Sequence, residues 1–274
     1  MGVQPISVPQ SLAYVLNSAG TRSGVDFDYL LQTAIRESSL DPTAKARTST
    51  ATGLFQFLES TWLQVMKDEG PRLGYQRYAN AITETSDGEF VIKDKSLRAE
   101  VLQLREDPQI AADLAAAFTR NNGAYLRGKF GRMPSPGELY IAHFLGAKGA
   151  EKLFTAGLAD PDRIAAELFP KQAKANPAIF YADGKPRTIR QVYRALVARH
   201  EAPAAVDPAF AAQQMAARPV SKWPEVDAVP SRFTPDDLSF TALFSTEGEQ
   251  ASRTLLTPAE EPQGSAFFTQ LYGQ

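Results

Sequence analysis

Hydrophobic positions in this chain recur mostly at three- and four-residue spacing, so the pattern predicts a succession of amphipathic helices. Leu12, Val15 and Leu16 mark a first helix over residues 9–22, which Gly20 and Gly24 are expected to end. Phe27, Leu30, Leu31, Ala34 and Ile35 mark a second, with Asp26 as its N-cap. The hydroxyl-rich stretch Thr48-Ser49-Thr50-Ala51-Thr52-Gly53 reads as a loop crossing back over the end of that helix. Ser60 can then cap a helix carrying Trp62, Leu63, Val65 and Met66, closed by Gly70-Pro71. Residues 71–95 are the least regular, with Tyr75, Tyr78, the turn-like Ser86-Asp87-Gly88 and a Phe90-Val91-Ile92 run that suits one arm of a short β-hairpin.

From Ser96 the helical period returns, broken at Asp107-Pro108, where Asp fits an N-cap and Pro the first helical position. Ile110, Leu114, Ala117 and Phe118 then share one stripe, and the alanines between them allow close helix contact, which predicts a central core helix. Asn121, Asn122 and Tyr125 stand further along, as turn formers around Gly123 and Gly128 or as saccharide hydrogen-bonders. Ser135-Pro136-Gly137-Glu138 is a capping box that opens a helix bearing Leu139, Tyr140, His143, Phe144 and Gly146. Asp160-Pro161 is expected to open a helix through Ile164 and Leu168, and Thr188 to cap one through Val192, Leu196 and Val197. Asn176-Pro177, Asp183-Gly184 and Pro186 mark loops between these two. The fold class is mainly all-α with one short β-hairpin.

Beyond Glu201 the composition shifts to Ala, Pro, Gln and acidic residues that cannot build a core. The chain therefore divides into a globular domain, 1–200, and a disordered acidic tail, 201–274. Near its end, Phe267, Phe268, Leu271 and Tyr272 are too apolar for a spacer, and they read as a docking motif for a protein partner or as a short helix folding back. With 274 residues, 43% of them hydrophobic and 22% charged, the chain can bury a sizeable core. Residues 1–200 carry a net +4 and residues 201–274 a net −6. No dense Lys/Arg patch supports nucleic-acid binding. No apolar run reaches the roughly 18 residues of a membrane span, and Met1 to Gln10 lacks the pattern of a secretory signal, so either the start has been trimmed or export takes another route, such as a specialised secretion apparatus or a phage particle. With no cysteine and only His143 and His200, a disulfide or a His-rich metal site is out of reach.

The chemistry concentrates at Glu37. Seven residues make almost two turns, so Glu37 lies above Leu30 and leaves the helix from its apolar side. A carboxyl group facing apolar packing loses hydration in its charged form, which favours the protonated acid that proton donation requires. The bland alternative is a solvated or capping Glu at a helix end. The loop that follows delivers Leu54, Phe55 and Phe57 with Gln56 as the only polar side chain among them, and one amide in an apolar wall suits an uncharged polar ligand. Trp62 fits either a sugar-stacking surface or the core. Glu138 is a second candidate carboxylate, although capping already accounts for it. His143 fits a core histidine as well as a ligand contact.

Glu37-Ser38, the segment Ser49-Thr50-Ala51-Thr52-Gly53-Leu54-Phe55-Gln56 and the later Ala142-His143-Phe144-Leu145-Gly146 resemble the signature of the soluble lytic transglycosylases, lysozyme-like enzymes of bacterial cell-wall metabolism. Phe55 stands where the family usually has Met, and His143 and Phe144 where it has Tyr and Asn. The resemblance covers about residues 24–160 and implies a lysozyme-like domain that acts on peptidoglycan strands in the periplasm or cell envelope without a cofactor. It implies cleavage of the β-1,4 bond between N-acetylmuramic acid and N-acetylglucosamine to a 1,6-anhydro product, with Glu37 as the single general acid and base. Ser38, Ser49, Gln56, Phe55, Tyr140 and His143 would then line the substrate. The rivals are a hydrolytic muramidase, with Asp41 or Glu59 as second carboxylate, and a non-catalytic glycan-binding scaffold of a secretion or phage structure.

Overall fold

The longest helix among the described residues, α6 (Pro108–Phe130), runs through their two large hydrophobic cores. In this computed structural model, which describes residues 7–47 and 49–201, α6 spans roughly 35 Å at 1.5 Å per residue. Its alanine-rich first half, Ala111 to Ala116, packs into a first core built with α1 (Gln10–Ser23), α2 (Phe27–Ser38) and α3 (Glu59–Leu73). Its second half contributes Leu126 to a second core with α7 (Pro136–Leu145), α8 (Ala147–Ala159), the short helices α9 (Ala165–Leu168), α10 (Pro170–Ala175) and α11 (Pro177–Phe180), and α12 (Ile189–Glu201). Between α3 and α6 lie α4 (Gln76–Ala81), the hairpin β1 (Thr83–Glu84) with β2 (Phe90–Val91), and α5 (Lys95–Gln103). A second antiparallel hairpin, β3 (Tyr181–Ala182) with β4 (Lys185–Pro186), turns at Asp183-Gly184, both at positive φ. The described protein is thus mostly helical. Among its described residues no helix is long and apolar enough to cross a membrane. The tail motif at Phe267, Phe268, Leu271 and Tyr272 lies outside the described residues.

The caps read from the sequence at Asp26, Asp107, Ser135 and Thr188 are in place. Asp26 accepts from Asp28 N–H at 2.8 Å and Tyr29 N–H at 3.2 Å, and Asp107 from Gln109 and Ile110 N–H. Ser135 and Glu138 form the reciprocal capping box of α7. Thr188 and Gln191 exchange the same pair of bonds at the start of α12.

Several expected helix ends fall elsewhere. Gly20 sits inside α1, because a Cβ there would lie 2.6 Å from the Val25 carbonyl oxygen, and Gly24 alone ends that helix. Leu58, not Ser60, precedes α3, which continues through Gly70-Pro71 to Leu73 because Gly70 is pressed between Met66 and Ala79 of α4. Helix α6 passes through Gly123 and Gly128 without a turn, and Gly123 faces Leu139 of α7. Asp160-Pro161 opens no helix directly. The stretch that follows bonds to residues 187–190 instead, with Ile189 N–H on the Arg163 carbonyl, Arg190 N–H on the Pro161 carbonyl and Ala165 N–H on the Arg187 carbonyl.

Candidate active site

Glu37 belongs to the last turn of α2, which ends abruptly: Ser39 and Leu40 both take left-handed backbone conformations, at φ 53° and 67°. Two consecutive non-glycine residues of that kind cost of order 1 kcal/mol or more each and persist only where surrounding contacts over-determine them. Those contacts come from loop 41–58. Ser38 Oγ donates to the Leu54 carbonyl at 2.9 Å and to the Ala34 carbonyl at 3.1 Å, tying loop to helix. Gly53, at φ 85°, has room for no side chain, since a Cβ would lie 1.9 Å from the Arg105 carbonyl oxygen. Gln56 is buried at φ 48°, and its Nε2 donates to the carbonyls of Ala44 at 3.0 Å and Gly53 at 2.9 Å. Its amide hydrogens therefore close the loop rather than await a ligand. Phe55 is buried in the first core. Ser49 accepts the Ala51 N–H at 3.2 Å.

Arg105, which the sequence pattern did not single out, donates to the carbonyls of Thr50 at 2.6 Å and Phe57 at 3.1 Å from beneath the same loop. Burial lowers its guanidinium below the usual range, so this charge is held at a cost in order to satisfy backbone carbonyls. Ser38 and Gln56 thus place their polar groups on backbone carbonyls of α2 and of this loop, which forms a shelf behind Glu37.

Glu37 itself faces the seam between the two cores. Its side chain has no solvent exposure, and among the described residues neither carboxylate oxygen meets a hydrogen-bond partner. His143 Nε2 approaches Glu37 Oε1 to 3.4 Å, so α7 delivers His143 directly to the acid. Tyr140, one turn earlier, stacks on His143 with ring centroids 6.0 Å apart and planes 13° from parallel, and Phe118 of α6 meets His143 edge-on at 6.4 Å. Burial, followed by the Glu37 charge, raises the Tyr140 hydroxyl well above the usual phenol range. Tyr29 of α2 is raised in the same way, chiefly by burial.

Two further groups close this site, and sequence reasoning had assigned neither. His200, near the C-terminal end of α12, lies between Tyr29 at 5.3 Å and Tyr140 at 5.6 Å. Burial, with the charge of Arg36 and then His143 adding to it, holds its imidazole down to about 4 from 6.5. Arg36 of α2 donates from Nε to the Arg199 carbonyl at 2.7 Å and from Nη2 to the His200 carbonyl, capping the last turn of α12 onto the Glu37 helix. Five rings, Tyr29, His200, Tyr140, His143 and Phe118, form one continuous file beside Glu37.

The other candidate carboxylates are engaged elsewhere. Asp41 is exposed and accepts both the N–H and the hydroxyl of Thr43. Glu59 pairs with Arg98. Glu138 takes two bonds from Arg132, at 2.8 and 2.6 Å, besides the Ser135 N–H. Trp62 is wholly buried with its Nε1 on the Val101 carbonyl at 2.8 Å, a core residue. Asn121 donates to Glu69 and Tyr125 to Glu151, both on the helix surface. No protein-family model matches the chain.

Proposed function

We propose that the protein is a lysozyme-like lytic transglycosylase of peptidoglycan, acting in the cell envelope, with Glu37 as its single acid and base. The observation that carries this reading is the Glu37 carboxylate: unexposed, without a hydrogen-bond partner, and mounted on a shelf folded from the motif residues that carry the resemblance. A buried polar group left unsatisfied costs about 1–3 kcal/mol, a sacrifice of stability that chemistry at the site explains.

In the first half of the reaction, protonated Glu37 gives its proton to the glycosidic oxygen. The bond from that oxygen to C1 of N-acetylmuramic acid breaks, and its electron pair stays with the leaving N-acetylglucosamine. In the second half the C6 hydroxyl oxygen of the muramic acid bonds to C1, closing the 1,6-anhydro ring, and its proton returns to Glu37. No second carboxylate is required because the nucleophile belongs to the substrate; a well-oriented internal attacker contributes on the order of 7 kcal/mol or more. Asp41 and Glu59, the partners a hydrolytic muramidase would use, are an exposed Asx turn and an ion pair. Tyr140 and His143 stand beside the acid and form the wall next to the reacting bond. Since the Glu37 side chain is fully covered, a glycan reaches it only when the ring file beside it shifts. That same coverage favours one second reading, a glycan-binding module without catalysis. Incubation with purified sacculi separates the two: wild type clears the suspension and Glu37→Gln does not, whereas co-sedimentation without clearing by wild type selects the binding module.

A further inference from the structure

The reading of Glu37 as acid and base leaves one feature of the site unused. The imidazole of His143 is 94% buried and stands with Nε2 3.4 Å from Oε1 of a carboxylate that has no hydrogen-bond partner among the described residues. A core histidine needs no such neighbour, and apo catalytic contacts are commonly this long before substrate tightens them.

Resting on the proposed activity, we propose that His143 is the positioning residue of Glu37: its Nε2–H donates to Oε1, fixes the carboxyl plane, and steadies the carboxylate that forms once the proton has gone to the glycosidic oxygen. Oε1 is thereby the anchored oxygen and Oε2 the one that gives and retrieves the proton. A hydrogen bond to a charged acceptor is worth more than one to the neutral acid, so the contact strengthens as the transition state is approached, which is the condition for raising kcat rather than binding. His143 itself transfers no proton.

The ring is held for this purpose from both sides. Tyr140 stacks against one face and Phe118 meets it edge-on, so the imidazole cannot swing away from Oε1 without unpacking α6 from α7. The titratable and charged groups facing the pair are Tyr29 and Arg36 from α2, Tyr140 from α7, and Arg199 and His200 from α12. From helix α6 the apolar Phe118 meets the imidazole, and Thr119 hydrogen-bonds the Tyr29 hydroxyl.

The test compares wild type with His143→Phe, which keeps a planar ring and removes the donor, and His143→Gln, whose Nε2 can replace it. Expected are a fall in kcat of about 10- to 100-fold for His143→Phe at unchanged KM, with the alkaline limb of its pH–rate profile moved upward, and recovery of both in His143→Gln. An independent readout does not need turnover: imidazole nitrogen NMR of wild type places the proton of neutral His143 on Nε2, and Glu37→Gln relaxes that tautomer preference. Loss of activity in both His143 variants with KM raised and the pH profile unmoved would make the residue a packing element and overturn the inference, as would a wild-type tautomer with the proton on Nδ1. A wild type that makes no anhydro product, with the Nε2 tautomer present, would sink the proposed activity and leave the Glu37–His143 pair standing.

Discussion

Replacing Glu37 by Met should make the protein more stable. The Glu37 side chain has no exposure and its two oxygens have no hydrogen-bond partner among the described residues, so the folded state carries the burial cost of a polar group for which the rest of the fold gives little return. That cost is about 1–3 kcal/mol for an unsatisfied buried group. Methionine has nearly the same length and fills the same space with apolar atoms. The interaction lost is the 3.4 Å approach of His143, which is longer than a hydrogen bond and offsets little of the burial cost. The net expectation is a gain of about 2 kcal/mol, which for a fold of this size raises Tm by roughly 4–8 °C. Urea unfolding followed by far-UV circular dichroism reads it as a higher midpoint at unchanged slope. A variant destabilised by 1 kcal/mol or more would refute the reasoning, because the carboxylate would then be a structural element of the seam and not a group held in place against the stability of the fold.

Arg36→Met removes both bonds to the end of α12 and should cost about 2–4 kcal/mol, with hydrogen exchange accelerated in the last turn of α12 and unchanged in α3; a loss below 0.5 kcal/mol would show that α12 needs no such cap. His200 predicts acid sensitivity. Its folded-state value near 4 lies below the unfolded 6.5, so the unfolded chain binds more protons between those values. Stability contributed above pH 6.5 is therefore lost as the pH falls toward 4, by about 2 kcal/mol after allowance for solvent screening; His200→Phe should flatten that stretch of a stability–pH curve, and an unaltered slope would contradict it. Gln56→Leu abolishes two bonds inside loop 41–58 and should cost about 2 kcal/mol in urea unfolding, whereas an unchanged midpoint would mean that the backbone holds the loop alone.

Where a residue's job is local, the sequence announced it. Asp26, Asp107, Ser135 with Glu138, and Thr188 cap the helices their spacing implies, because a cap needs only residues within one turn, although Ser60 does not cap α3. The direction of Glu37 toward apolar packing followed from helical period in the same way. Glycine was ambiguous. Gly20, Gly70 and Gly123 look like stops but are places where a neighbour's backbone or side chain presses in, and a close approach leaves the same letter in the sequence as a turn does. Gln56 lies at its expected place in an apolar wall, yet its left-handed backbone turns the amide onto the carbonyls of Ala44 and Gly53. What closes the site was not legible at all. Tyr29 and His200 meet across 171 positions of chain, and Arg36 reaches α12 from α2, contacts that no window of sequence contains. Their only local trace is that Tyr29 lies on the buried face of α2 and His200 at the end of an amphipathic helix.

The most direct test of Glu37 as a lone acid and base is the mass of the muropeptides released from sacculi by the full-length protein. Intramolecular attack by the C6 hydroxyl predicts products ending in 1,6-anhydromuramic acid, one water lighter than reducing ends, and none from Glu37→Gln. Reducing-end products from the wild type, or anhydro products that persist in Glu37→Gln, would contradict the account.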